Sequence, residues 1–256
     1  MADHFPLRVL CLLLCLLGCP LSGAAATPQR IISLTPHLTE LLYDIGAGDR
    51  IVATDDASDF PPEVAPLPRV ANYRSINLEA LLAQKPDLVV AWRSAQSRML
   101  APVEKLGIPV FYSEPTDFAS LADEMRSLGR LLGTRQKADQ QADAYLARLN
   151  ALKQRYGKPK PVSVFYQLWY PPLTSVNDST WPGHAIRLCG GRNIMADASS
   201  PYPQVGLEQV IKANPTLILA GSRDPAVLAH WRQWSMLDAV KQQRLLLINP
   251  DELHRF

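Results

Sequence analysis

The side chains of this sequence with most to offer chemically are aromatic, and they recur at one kind of place. Trp92 closes the run DLVVAW and Trp169 closes VSVFYQLW, and both runs read as buried strands. Tyr73, Tyr170, Trp181 and Tyr202 fall in the loops between such runs, several beside proline, whose fixed φ stiffens a loop. In an open α/β sheet the crevice outside the carboxyl ends of the strands is where ligands enter. A ring set placed there suits a large, flat, partly apolar ligand. The competing reading is that each ring covers a core at a loop corner.

Nothing in the sequence offers catalysis at a recognisable spacing. It holds no G-x-S-x-G, no phosphate-binding glycine loop, no G-x-G-x-x-G and no H-E-x-x-H. His37, His184, His230 and His254 are scattered, and no two have helical metal-ligand spacing. His230, with Trp231 and Trp234, reads as packing or surface. His37, in the first strand-to-helix turn, is better placed to meet a ligand, with capping or surface as its alternative. The expectation is a binder, with no catalytic residue, no metal ligand set and no cofactor.

The element that must position these rings is a long helix over residues 134–156, TRQKADQQADAYLARLNALKQRY, free of Gly and Pro. Ala138, Ala142, Tyr145, Leu149, Leu152 and Tyr156 step along it as one stripe. Thr134 reads as its N-cap and Gly157 as its stop. At ~1.5 Å per residue it makes a rod of roughly 34 Å, a spine between two lobes. Strand-like and helix-like runs alternate on both sides of it, which argues for parallel sheets covered on both faces. The fold class is therefore α/β: residues 1–26 a leader, 27–133 an N-terminal lobe, 134–157 the spine and 158–256 a C-terminal lobe. Asn77 and Asp117 read as helix caps. NLEALLAQKPDLVVAW recurs 129 residues later as GLEQVIKANPTLILAG, matching Glu79 with Glu208 and Pro86 with Pro215, which favours two related lobes.

Composition bounds the rest. The chain has 256 residues, 47% hydrophobic and 20% charged, enough for one large core or two small ones. A net charge of +2 without long runs gives no nucleic-acid or polybasic membrane patch. After Arg8 comes the apolar run VLCLLLCLLG, too short to span a bilayer as a helix, then small residues Ala24 and Ala26 that fit a secretory cleavage site. Leu16-Leu17-Gly18-Cys19 also resembles a bacterial lipobox, which would leave a lipidated Cys19; Pro20 argues mildly against it. An uncleaved leader acting as an anchor is the third reading, and all three place the folded part outside the cytoplasm. Cys11, Cys15 and Cys19 sit in the leader and only Cys189 remains beyond it, odd for an oxidising compartment, so it is expected either to be buried or to pair with a cysteine beyond this sequence. The sequence stops at Phe256 just after a strand-like run, where an alternating pattern expects a helix, so a truncated C-terminal helix is expected.

The segments SLTPHLTELLYDIGAGDRIVA, SDFPP, NLEALLAQKPDLVVAWR, LGIPV, CGGRNI, PQVGLEQV and DELHR together resemble the periplasmic cobalamin-binding proteins of ABC importers. These belong to the helical-backbone, class III substrate-binding proteins, a class that also carries haem, siderophores and metal ions. The resemblance implies two α/β lobes joined by one long helix, with cobalamin as the transported ligand and an inner-membrane ABC permease dimer as partner. It implies a periplasmic location, and the chain is read as a monomer. It places Tyr73, Trp92 and Tyr202 in the corrinoid cleft, with Trp169 and Tyr170 on a ligand-facing loop. It makes Asp251 and Arg255 a terminal pair meeting polar edges of the ligand. Ala57 stands where the family has a contacting tyrosine, so one contact is lost. It assigns Glu79 and Glu208 to docking on the permease, and pairs Cys189 with a cysteine in the missing C-terminal helix. The alternative is a receptor of the same fold for haem, a siderophore or a metal ion.

Overall fold

The computed structural model describes residues 26–157 and 161–254. The first lobe is a five-stranded sheet of β1 (Ile31–Ser33), β2 (Ile51–Asp55), β3 (Arg69–Ala71), β4 (Leu88–Trp92) and β5 (Val110–Ser113), all parallel, in the order β3-β2-β1-β4-β5. Successive strand residues face opposite sides of a sheet, and here both sides are covered. Ile31 and Val90 lie with Leu38 and Leu42 of α1 (Pro36–Asp44) and Leu128 of α4 (Phe118–Leu131). Ile32 and Val89 lie with Leu81 of α2 (Leu78–Ala83) and Leu100 and Val103 of α3 (Arg93–Lys105). Burial on both faces explains why β4 reads as an unbroken apolar run rather than an alternating one.

The second lobe is a four-stranded parallel sheet of β6 (Val162–Gln167), β7 (Gly191–Asn193), β8 (Leu217–Gly221) and β9 (Leu245–Ile248), in the order β7-β6-β8-β9. On one face Phe165 and Ile218 meet Val210 of α7 (Leu207–Ala213), Leu228 and Trp231. On the other, Val164 and Tyr166 meet Val176 and Ile186, the latter on α6 (Trp181–Leu188). Between β8 and β9 the chain forms a 3-10 stretch, Pro225–Gln233, and a short α8 (Asp238–Lys241) rather than one continuous helix. The tighter winding lets Leu228 and Trp231, three apart, eclipse on the core side. A last helix, α9, covers Pro250–His254.

The spine is α5 (Arg135–Tyr156). Its stripe is buried only near its start, at Ala138 and Ala142; Tyr145, Leu149 and Leu152 are half-buried and Tyr156 is exposed. Small residues there allow a close crossing with α4, where a Cβ added to Gly129 would lie 2.2 Å from that of Ala138. Thr134 does not cap the helix: its side chain makes no cap hydrogen bond and its Oγ1 is buried without a partner among the described residues. Asn77 and Asp117 do cap theirs, accepting from Ala80 N–H at 3.0 Å and Ser120 N–H at 2.8 Å.

The repeat has a backbone counterpart. Lys85 and Asn214, at matched positions before Pro86 and Pro215, both adopt left-handed φ, 49° and 43°. Two residues on, Asp87 accepts from Gln29 N–H and Arg30 N–H at 2.7 and 2.8 Å, while Thr216 bonds the Ser163 hydroxyl at 2.9 Å. In each lobe the same position ties the outgoing strand to the start of the neighbouring one.

Candidate functional site

Strand order decides where a site can form. In the first lobe β2 and β3 lie to one side of β1 and β4 and β5 to the other, so connections leaving β1 and β4 diverge and open a crevice beyond their carboxyl ends. Gln96 holds that crevice: its Oε1 accepts from Trp92 N–H at 2.9 Å and its Nε2 donates to Leu34 C=O at 2.8 Å. A cavity of about 630 Å³ lies there, lined among others by Thr35, Asp55, Asp56, Tyr73, Trp92 and Gln96. The second lobe repeats the arrangement between β6 and β8. Gln167 accepts from Trp231 Nε1–H at 2.6 Å and donates to Val227 C=O at 2.9 Å. A cavity of about 520 Å³ is lined there by Gln167, Trp169, Tyr170 and Ala220 through Ser222.

Four of the candidate rings are open to solvent: Tyr73 at 83%, Trp169 at 63%, Tyr202 at 59% and Tyr170 at 50%. They do not cover cores. Arg74 lies over the Tyr73 ring at 4.9 Å. Trp169 Nε1–H donates to Pro171 C=O at 3.0 Å, and bridges from Trp169 to Thr174 to Gln204 bring the Tyr202 segment to the same rim. Tyr170 stacks on His230, centroids 4.2 Å apart and planes 11° apart, and burial lowers the His230 pKa. Tyr73, Trp169 and Tyr170 are thus exposed, yet each is held by a neighbouring group. Trp181 differs, beginning α6 and packing on Phe118 at 5.2 Å.

Trp92 is half-buried, and the edge of His37 meets its ring at 5.2 Å and 81°. The protein surrounding that imidazole strips its hydration, which lowers its pKa to about 4 and keeps it neutral at physiological pH. His37 also reaches a smaller cavity of about 230 Å³ between the lobes, whose walls include Leu121, Met125, Tyr145 and Trp181. Beside it the lobes touch directly, His184 Nε2 lying 2.8 Å from Thr116 C=O.

The remaining candidates sit elsewhere. Asp251, exposed in α9, pairs with Arg223; Arg255, its expected companion at the ligand's edge, lies outside the described residues. Cys189 is exposed with a free thiol. Glu79 and Glu208 are exposed in the first turns of α2 and α7, without an ion pair among the described residues. Cys19 and the rest of residues 1–25 lie outside the described residues. Sequence reasoning passed over Gln96, Gln167, Asp55 and Asp56. The two acids could have been found from position alone, since they stand at the carboxyl end of β2.

A family model described as periplasmic binding protein matches residues 31–252. The chain is 37% identical over 229 residues to a vitamin B12-binding protein of Vibrio cholerae serotype O1, covering 89% of this chain and 83% of that one. Among solved structures, the periplasmic vitamin B12 binding protein BtuF of Vibrio cholerae superposes with a TM-score of 0.80 at 36% identity, covering 90% of this chain and 91% of that one. The periplasmic heme binding protein HutB of Vibrio cholerae shares the fold, with a TM-score of 0.78 at 23% identity, covering 88% and 91%.

Proposed function

The chain belongs to the periplasmic binding protein family, and from that premise we propose that it captures cobalamin between its two lobes and delivers it to an ABC permease. The observation that carries this reading is the pair of cavities at the two strand-order reversals, each edged by aromatic rings, Tyr73 and Trp92 at one and Trp169 and Tyr170 at the other. Two such faces suit a large, flat macrocycle with apolar surfaces. Tyr73 and Trp92 contact the ligand from the first lobe and Trp169, Tyr170 and Tyr202 from the second. Asp251 and Arg255 meet its polar edge. The chain acts as a monomeric carrier rather than an enzyme. It works in the periplasm, released from its leader or held there by a lipid on Cys19. Among the described residues no helix is long and apolar enough to cross a membrane.

The test is a visible absorption titration of the purified protein with cobalamin and, separately, with haem. Saturable perturbation of the corrinoid bands supports the reading; a response to haem alone replaces it with the haem receptor of the same fold. Delivery has its own test. Two exposed carboxylates, one at a matched position of each lobe, suit a permease dimer with two like sites, where charge sets orientation and encounter rate. Glu79→Arg with Glu208→Arg is expected to abolish uptake while cobalamin affinity stays within a fewfold. Each single reversal gives a partial defect. Normal uptake by the double variant would return both residues to first-turn helix charges worth about 0.3–1 kcal/mol.

A further inference from the structure

One side of the first-lobe cavity is polar in a way the rings do not explain. Thr35 follows β1, Asp55 ends β2, Asp56 comes next and Asn72 follows β3, and all four line the cavity. Asp55 is fixed by the Ser58 hydroxyl and by Ala57 N–H at 3.1 Å. The hydroxyls of Ser58, Thr39 and Ser33 continue that chain into the core, with contacts of 2.9 and 2.8 Å. Asp56 is exposed. Asn72 Oδ1 is occupied by Arg74 N–H and Ser75 N–H at 2.9 and 3.0 Å, so its amide N–H₂ is the end its own loop does not use. Thr35 lines the cavity while only 8% exposed, and its Oγ1 is buried without a hydrogen-bond partner among the described residues. A buried hydroxyl left unpaired is unfavourable, and a χ1 rotation that turns it toward the cavity would let an entering group complete it.

The wall therefore offers acceptors, a donor and a hydroxyl that can be either. A primary carboxamide supplies the matching N–H₂ and C=O, whereas a carboxylate supplies acceptors only. Among the described residues Arg74 is the one cation lining this cavity, and it lies over Tyr73. Arg69, behind the wall, donates to Ser58, Asp55 and Val64 carbonyls at 2.6, 3.0 and 3.3 Å. A carboxylate brought to the wall would face two carboxylates with one guanidinium to offset them. We propose that Asp55, Asp56, Asn72 and Thr35 form an amide reader that accepts a carboxamide on the ligand's edge and rejects a carboxylate there. The inference rests on the cobalamin reading. Cobalamin carries primary carboxamides around its macrocycle, where haem carries propionates, so the wall would separate the two ligand classes on edge chemistry as well as ring shape.

The experiment is calorimetry on the full chain with cobalamin and with its monocarboxylic isomers, in which one peripheral carboxamide has been hydrolysed. At least one isomer should bind about tenfold or more weakly than cobalamin. Asp56→Asn, a surface change that keeps an acceptor and removes the charge, should narrow that ratio to about threefold. Thr35→Val should weaken cobalamin itself by about three- to tenfold; its denaturation midpoint separates lost binding from lost fold. Isomers that all bind within twofold of cobalamin, or a ratio unmoved by Asp56→Asn, would overturn the amide reader while leaving cobalamin binding intact. Absence of binding by cobalamin and by every isomer would overturn the underlying reading and the inference with it.

Discussion

In the N-terminal lobe both faces of the sheet are deeply covered, by α1 with α4 and by α2 with α3. In the C-terminal lobe one face has a comparable core around Phe165 and Trp231, while the other rests on Val164, Tyr166, Val176 and Ile186 with half-buried leucines around them. Its edge strand β9 leaves Leu246 48% exposed. Yet the carboxyl edges match: each has a reversal of strand order, a buried glutamine spanning it and exposed rings in front. The construction of such an edge depends on strand order and a few hydrogen bonds, and not on how thickly the sheet behind it is padded.

That contrast is open to measurement, and core truncation gives the largest effects. Leu42→Ala in the first lobe and Trp231→Ala in the second should each destabilise by about 3–5 kcal/mol, whereas Ile186→Ala on the thinner face should fall near ~2 kcal/mol because its surroundings can collapse. Urea denaturation of the three variants decides it; an Ile186→Ala loss as large as that of Trp231→Ala would erase the difference between faces.

The rings come next. Trp92, half-buried and braced by His37, should lose about 1–3 kcal/mol of cobalamin affinity on mutation to Ala, a 5- to 150-fold weakening. Trp169→Ala, removing a ring already 63% exposed, should lose under about 1 kcal/mol. Calorimetry that ranks them the other way would move the principal contact to the second lobe.

A pH effect of similar size belongs to His37 in the first lobe, and burial shifts His230 of the second lobe in the same direction. With the folded His37 pKa near 4 against an ordinary 6.5, the unfolded chain binds the proton more readily. Stability from this group is complete above about pH 6.5 and falls as pH drops toward 4, by roughly 2 kcal/mol at pH 5. His37→Gln should flatten that part of the stability–pH curve, and an unchanged slope would relieve His37 of the role.

The smallest prediction concerns the left-handed residues. Asparagine tolerates that conformation better than lysine does. Lys85→Asn should therefore stabilise by several tenths of a kcal/mol, up to ~1. Asn214→Lys should be worse than a simple reversal, since Asn214 Oδ1 also accepts from Asp238 N–H at 2.9 Å. A thermal melt of each variant tests the pair.

The sequence made local features visible and left distant ones hidden. Asn77 and Asp117 could be read as caps because the acceptor and the N–H groups it serves lie within three residues. The repeat survived as helix, left-handed break and strand. By contrast β3 and β7 have three residues each, too few to show a period. The stripe on α5 had the right spacing, but periodicity shows which side is apolar and not how far along it a partner reaches; α4 supplies one only near the start. For the site, the strand-end position of Trp92 and Trp169 was legible. The bracing of Trp92 by His37 joins residues far apart in sequence, and no local pattern announces it.

The single passage of the chain from one lobe to the other also has a consequence in time. Among the described residues, the five strands of the first sheet come from residues 31–113 and the four of the second from residues 162–248, with no strand exchanged between them. Every strand pairing of the first sheet is therefore available before any residue of the second has emerged from a ribosome or a translocation pore. Folding in that order keeps loop closures short and avoids holding an unpaired edge for a late partner. A lobe assembled from both ends of the chain would have to wait, exposed, for the last residue to arrive.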